Sequence, residues 1–155
     1  MDPHRKPIAI LMADDDEEDR MLASDALEEA KLMNPLGFVK DGEELMRYLR
    51  GNGEYADREK YPLPGLILLD LNMPRKDGRE ALREIKENPD LRTIPVVVMT
   101  TSRAEEDIVK SYHLGVSGYI TKPVSFEGLV NIMKALSLYW FEIVKLPGNG
   151  ISEQR

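Results

Sequence analysis

The chain of 155 residues contains no cysteine and one tryptophan, and aromatic residues make up only 6% of the sequence. Without cysteine, disulfide bonds and zinc sites built on thiolates are excluded. Long hydrophobic runs are also missing, since no apolar segment approaches the roughly 20 residues of a membrane-spanning helix. The apolar stretch at 8–13 is short, is followed by acids and lacks a cleavage pattern. We therefore expect a cytoplasmic protein with no membrane partner.

Positive charge is scarcer than negative charge. The chain has 21 lysine and arginine residues against 28 aspartate and glutamate residues, so its formal net charge is -7 at pH 7. A protein that binds nucleic acid needs a basic surface to meet the phosphates, so we expect no nucleic-acid partner. The two histidines, His4 and His113, do not have the spacing of a metal-ligand motif. We interpret both as surface residues.

Apolar residues make up 42% of the chain and are arranged in two alternating patterns. Runs of strand length cover about 8–13, 36–40, 66–70, 95–100 and 117–120. Helical spacing is found over about 16–31, 42–50, 78–87 and 104–114, and a fifth helix begins near residue 125 and continues past residue 140. This alternation predicts an α/β fold, a (βα)5 three-layer sandwich around a central five-stranded parallel sheet.

Two segments lack both patterns. Residues 51–65 contain several glycines and prolines and are interpreted as a loop, and residues 148–155 are interpreted as a flexible tail. Residues 1–147, which include this loop, are predicted to form a single domain with an extended C-terminal helix, and we expect no DNA-binding output domain. Asp77 and Gly78 predict a turn into the third helix, in which glycine permits an unusual backbone conformation.

Residues able to carry chemistry follow four of the predicted strands. Because the carboxyl ends of parallel strands lie at one edge of a sheet, we expect these residues to converge there. Clustered carboxylates bind a hard divalent cation, and a hydroxyl and an ammonium beside them suit phosphoryl transfer. The residues are Asp14 and Asp15 after the first strand, Asp70 at the end of the third, Thr100 and Thr101 at the end of the fourth, and Lys122 after the fifth.

The acidic pair and three further segments resemble the response regulator receiver domain, typified by the chemotaxis response regulator. The segments are LLDLNMPRKDG around Asp70, VVVMTTS around Thr100 and GYITKP around Lys122. The resemblance covers about residues 7–140 and implies the flavodoxin-like strand order 2-1-3-4-5. It implies that Asp70 accepts a phosphoryl group from the phosphohistidine of a sensor histidine kinase. Such a protein catalyses only its own phosphorylation and dephosphorylation, and we do not expect an enzyme.

The resemblance also implies a magnesium site. Mg²⁺ would be held by Asp15, Asp70 and the backbone carbonyl of Asn72, with Asp14 acting through a water molecule. Elementary electrostatics supports a cation here, because neighbouring carboxylates repel one another until a divalent ion neutralises them.

Further roles follow from the same resemblance. The residues that would contact the phosphoryl group are Lys122, Thr100, and the backbone N–H groups of Asn72 and Thr101. Thr100 and Tyr119 resemble the switch pair of the family, in which a hydroxyl moves toward the phosphate and an aromatic ring fills the space it leaves. The resemblance favours a cis peptide bond between Lys122 and Pro123, which would aim the ammonium inward.

The segments DIVKSYHLGVSGYITKP and LYWFEIVKLP are similar to stand-alone regulators paired with bacterial phytochromes. In those proteins an extended last helix supports a dimer. We therefore expect a homodimer through the fourth predicted helix, the fifth strand and the fifth predicted helix, where apolar residues exceed one stripe. The expected partners are a sensor histidine kinase of the phytochrome type and a histidine phosphotransferase.

Three alternatives stay open. A degenerate receiver would act as an interaction module without accepting phosphate. A phosphatase of the haloacid dehalogenase type needs an acid two residues after its nucleophile, where this chain has Asn72. A flavodoxin-like protein needs a Ser/Thr/Gly-rich phosphate loop after the first strand, where this chain has six consecutive acids. Of these acids, Asp16 is predicted to cap the first helix, and Glu17, Glu18 and Asp19 to be solvated.

Overall fold

The computed structural model describes residues 8–73, 78–100, 115–122 and 125–136. The five strands form one parallel sheet in the order β2-β1-β3-β4-β5, which confirms the predicted fold class and strand order. The strands are β1 (Ile10–Ala13), β2 (Leu36–Val39), β3 (Leu66–Asp70), β4 (Val96–Thr100) and β5 (Gly118–Thr121). The α-helices within the described ranges are α1 (Glu17–Glu29), α2 (Gly42–Arg50), α3 (Gly78–Glu87) and α4 (Phe126–Leu136).

The sheet is buried on both faces, as expected for parallel strands covered by helices. Every residue of β1, β3 and β4 is buried. Alternate side chains of these strands enter two separate hydrophobic clusters, one with α1 and α4 and the other with α2 and α3. This arrangement is the predicted three-layer sandwich.

Helix ends agree with the local chemistry. The Asp16 side chain caps α1 by accepting hydrogen bonds from the N–H groups of Glu18 and Asp19, as predicted. The Asp41 side chain caps the start of α2, and Gly51, with a φ of 68°, caps its end. None of the helices in the described ranges has both the length and the apolar character needed to cross a membrane.

Several predictions concern parts of the chain outside the described residues. The helix predicted over 104–114, the continuation of the last helix past residue 136, and the tail at 148–155 belong to this group. So do His4, His113 and the peptide bond to Pro123. The helix α4 is the described part of the fifth predicted helix.

The segment 51–65 is more ordered than the predicted loop. It contains a 3-10 helix, Gly53–Ala56, and buries Tyr55 against Tyr48, with ring centroids 4.9 Å apart. The Arg58 guanidinium donates to the backbone carbonyls of Tyr48 at 2.9 Å, Leu49 at 2.8 Å and Tyr61 at 3.2 Å. The predicted loop is confirmed in that the segment contains no α-helix or strand, but its local order, in which Tyr55 and Tyr61 pack with Tyr48 of α2, was not predicted.

Gly78 begins α3 for a steric reason. A Cβ atom at this position would lie 2.5 Å from the carbonyl oxygen of Asp70 and 2.6 Å from the Cα of Leu71. The Gly78 N–H donates to the Leu71 carbonyl at 3.2 Å. The predicted turn at Asp77 and Gly78 stays a prediction, because Asp77 lies outside the described residues. The glycine permits the start of α3 to approach the end of β3.

Candidate functional site

Charged side chains meet at the carboxyl edge of the sheet. Asp14 follows β1, Asp70 ends β3 and Lys122 follows β5. Each continues the alternation that places Met12 and Ile120 in the cluster with α1 and α4, so the three side chains extend from the same face of the sheet. Residues separated by more than 100 positions are thereby brought into contact.

The Lys122 ammonium is the centre of this group. Its Nζ lies 2.9 Å from Oδ2 of Asp14, 3.1 Å from Oδ2 of Asp70 and 2.7 Å from Oδ2 of Asp19. An ammonium has three N–H donors, so these three carboxylates use its full hydrogen-bonding capacity. The convergence predicted for Asp14, Asp70 and Lys122 is therefore present in the fold.

Burial changes the acid–base properties of the group. The Asp14 side chain is fully buried, and this burial raises the pKa of its carboxyl to about 6, although the Lys122 ammonium acts in the opposite direction. Burial alone would lower the pKa of Lys122, but its hydrogen bonds with Asp19 and Asp14 raise that pKa above the ordinary lysine value. At neutral pH Lys122 is therefore a cation facing a cluster of carboxylates.

Asp14, Asp15 and Asp70 together fit a metal ion. Each can offer one carboxylate oxygen, and the three oxygens lie within 4.8 Å of one another. Asp15 is exposed whereas the other two are buried, so the group opens to solvent on one side. Anionic oxygens are the ligands that Mg²⁺ prefers, and one lysine cannot neutralise three carboxylates. The donor set of this chain therefore suits a hard divalent cation.

Both oxygens of Asp70 are held by neighbouring groups. The backbone N–H of Asn72 donates to Oδ1 at 2.9 Å, and Lys122 donates to Oδ2. These two bonds fix the carboxylate at the end of a buried strand, where the side chain is only 5% exposed. An anionic oxygen oriented in this way is able to act as a nucleophile.

Thr100 lies at the same edge but on the other face of the sheet. The register pairs Asp70 with Met99, and Thr100 continues the alternation of Val98, which belongs to the cluster with α2 and α3. Thr100 is fully buried, and Tyr119 packs against the same cluster from the neighbouring strand. The predicted switch pair therefore shares one face, whereas Thr101 lies outside the described residues.

Asp19 is the site residue that sequence reasoning missed. It was grouped with Glu17 and Glu18 as a solvated acid at a helix start, and for Asp19 this prediction was wrong, because its carboxylate contacts Lys122. Its position three residues after the Asp16 cap places it in the first turn of α1, beside the strand ends. The position of Asp19 was predictable from the sequence, but its contact with Lys122, 103 residues away, was not.

Comparisons with known proteins agree with this geometry. The model of the family described as response regulator receiver domain matches residues 10–134. Response regulator Rcp1 of Synechocystis sp. is 43% identical over 146 residues, which are 94% of this chain and 97% of Rcp1.

Solved structures give the same result. The phosphorylated cyanobacterial phytochrome response regulator RcpA superposes with a TM-score of 0.77 at 43% identity, covering 89% of this chain and 96% of RcpA. The Mn²⁺-bound form of Rcp1 superposes with a TM-score of 0.74 at 43% identity, covering 88% of this chain and 96% of that protein. These two structures share the fold of this chain over most of its length.

Proposed function

Because the chain belongs to the response regulator receiver family and is similar to phytochrome response regulators, we propose that it accepts a phosphoryl group on Asp70 from a sensor histidine kinase. The observation that carries this proposal is the contact of the buried Asp70 carboxylate with the Lys122 ammonium, 3.1 Å away, in a group with Asp14 and Asp15. A carboxylate, a cation and further oxygen ligands are the components that phosphoryl transfer requires.

The transfer begins with an oxygen of Asp70. This oxygen attacks the phosphorus of a phosphohistidine, and the new O–P bond forms as the P–N bond breaks. The bonding electron pair leaves with the imidazole nitrogen of the kinase. The Asn72 N–H orients the carboxylate during the attack, and Lys122 donates a hydrogen bond to a phosphoryl oxygen.

The metal is part of the proposal. Asp14, Asp15, Asp70 and the backbone carbonyl of Asn72 would hold Mg²⁺, with Asp14 acting through a water, and the cation would offset the negative charge on the carboxylates and the phosphoryl oxygens. The Mn²⁺-bound form of Rcp1 supports a divalent cation in this family. The backbone N–H of Thr101 completes the proposed phosphate contacts.

The output is a change in protein contacts. The Thr100 hydroxyl turns toward the phosphate and Tyr119 follows into the space it leaves, which alters the surface around β5. The proposed partners are a kinase of the bacterial phytochrome type, a histidine phosphotransferase and a second copy of the chain. The similarity to RcpA, described as a phytochrome response regulator, supports the first of these.

Acetyl phosphate with Mg²⁺ tests the proposal. We expect the intact mass of the protein to increase by one phosphoryl group, and Asp70→Asn to abolish the increase because the nucleophilic oxygen is replaced by an amide. Asp25→Asn is the matched control, since Asp25 is exposed on α1 far along the helix from the site. Phosphorylation of Asp70→Asn to the same extent as the control would overturn the assignment of Asp70.

The same experiment separates the alternatives. A degenerate receiver would leave the wild-type mass unchanged under all conditions. A phosphatase would instead turn over small phosphate esters repeatedly, and we expect negligible turnover because the Asn72 amide cannot act as a general acid or base. A flavodoxin-like protein would be coloured after purification, whereas we expect a colourless one.

A further inference from the structure

The three carboxylates that share Lys122 differ in their exposure to water. The side chain of Asp14 is 0% exposed and that of Asp70 is 5% exposed, whereas that of Asp19 is 33% exposed. An ion pair that water can screen is weaker than a buried one of the same geometry. Asp19 is therefore the partner that Lys122 can give up at the least cost in free energy.

The Asp19 contact ties two elements together. Asp19 belongs to the first turn of α1, which Asp16 fixes as the helix cap, and Lys122 directly follows β5. The two side chains also line a cavity of about 80 Å³ between α1, α4 and the sheet, together with apolar residues such as Leu22 and Leu129. This space permits the lysine side chain to move without displacing the hydrophobic core.

The hydrogen-bond count then predicts a competition. All three N–H groups of Lys122 are already used, so a phosphoryl oxygen arriving at Asp70 needs one of them. The bond to Asp14 is buried and the bond to Asp70 points at the reaction centre itself. The donor released for a phosphoryl oxygen is therefore the one that holds Asp19.

We propose that Asp19 is a positioning residue that holds part of the Lys122 ammonium in the unphosphorylated protein and so slows the phosphorylation of Asp70. The proposal rests on the proposed function, because it concerns the same lysine and the same acceptor. It adds a residue on the first helix that acts on the chemistry through Lys122.

The test compares three variants with the wild type. Asp19→Asn removes the charge with little change of shape, Glu18→Gln removes the same charge from an exposed neighbour on the same helical turn, and Asp19→Glu keeps a carboxylate. With acetyl phosphate at saturating Mg²⁺, we expect Asp19→Asn to be phosphorylated about two- to five-fold faster, the factor that corresponds to a partly exposed ion pair. Glu18→Gln and Asp19→Glu should stay close to the wild-type rate.

A second measurement needs neither metal nor phosphodonor. Competitive reductive methylation, read by peptide mass and normalised to the exposed Lys40, reports how firmly each lysine is held. We expect Lys122 to be labelled faster in Asp19→Asn than in Glu18→Gln and the wild type. Circular dichroism confirms that each variant is folded.

The outcomes separate this inference from the function on which it rests. Unchanged labelling of Lys122 in Asp19→Asn overturns the inference whatever the rates are. Equal or slower phosphorylation of Asp19→Asn relative to Glu18→Gln also overturns it. A wild type that is never phosphorylated overturns the proposed function instead, and the labelling still decides whether Asp19 holds the lysine.

Discussion

At the scale of single residues, the site contains a carboxylate that folding buries at a cost. Asp14 is fully buried, and its pKa is raised to about 6 from the ordinary 3.8 because burial disfavours the charged form. The unfolded chain releases this proton at lower pH than the folded chain does. The stability that protonated Asp14 contributes is therefore complete below about pH 4 and is lost as the pH rises through 6.

Asp14→Asn should remove this loss in metal-free buffer. The amide does not titrate and can still accept a hydrogen bond from the Asp16 N–H, which donates to Oδ1 of Asp14 at 2.9 Å. We expect the variant to be more stable than the wild type by about 1–3 kcal/mol at pH 7.5, with the difference disappearing toward pH 4. Urea unfolding across this pH range measures the difference.

The control for this prediction is Asp25→Asn, which changes an exposed aspartate on α1. Its stability should follow the wild type at every pH. A constant difference between Asp14→Asn and the wild type from pH 4 to 7.5 would contradict the assigned cause.

The residue types in the sequence predicted most of the site, whereas individual side-chain contacts were not predictable. Acids and a lysine at strand ends were enough to predict that Asp14, Asp15, Asp70 and Lys122 converge, because parallel strands present the same ends at one edge. The role of Asp19 was not predictable, since an acid in the first turn of a helix is stabilised by the helix dipole without any partner.

At the scale of secondary structure, one glycine brings the start of the third helix against the backbone of Asp70. A Cβ atom at Gly78 would lie 2.5 Å from the Asp70 carbonyl oxygen, and backbone atoms cannot rotate away as a side chain can. We expect Gly78→Ala to destabilise the protein by about 1–3 kcal/mol, the usual cost of overpacking. We also expect slower phosphorylation, because the strain moves the backbone that carries the Asp70 carboxylate.

Gly118→Ala is the matched control, since a Cβ atom there would meet only the Val97 side chain at 3.8 Å. Urea unfolding and the phosphorylation rate with acetyl phosphate are measured for both variants. If Gly78→Ala behaved as Gly118→Ala does in both assays, the close approach of α3 to β3 would not matter for the site.

Strands were predicted more accurately than the connection at 51–65. Each predicted strand begins and ends within two residues of the observed one, because an apolar run in a sheet covered on both faces has clear limits. The connection was predicted as a loop, but its local order was not, because that order comes from contacts of Tyr55 and Arg58 with residues within ten positions, which leave no periodic pattern in the sequence.

At the scale of the whole molecule, the two edges of the sheet differ in the contacts that they make. The carboxyl edge holds the charged site, whereas the opposite edge is closed by the segment before β3, where Gly65 N–H donates to the Ala9 carbonyl at 2.8 Å. Strand order and layer order were predictable because right-handed crossovers and the family resemblance leave few arrangements. The contacts that distinguish the two edges were not predictable from the sequence.

Arg58→Met tests whether the structure at 51–65 can change without affecting the site at the carboxyl edge. The variant removes hydrogen bonds to the carbonyls of Tyr48, Leu49 and Tyr61 and leaves these acceptors without their charged donor. We expect a loss of about 1–3 kcal/mol in the free energy of unfolding, the cost of removing a charged donor from three partly buried carbonyls. Amide hydrogen exchange should become faster within 51–65, while the rate of phosphorylation at Asp70 stays at the wild-type value.

Arg58→Lys is the informative comparison, because it retains the charge but lacks the planar fork that reaches several carbonyls at once. Its stability should lie between those of the wild type and Arg58→Met. Arg58 contacts Tyr48, Leu49 and Tyr61, whereas the carboxylates lie at the far ends of β1 and β3, so we expect its loss to leave the site unchanged. A phosphorylation rate that fell in proportion to the lost stability would show that the two edges are coupled through the sheet and would contradict the expected independence of the site.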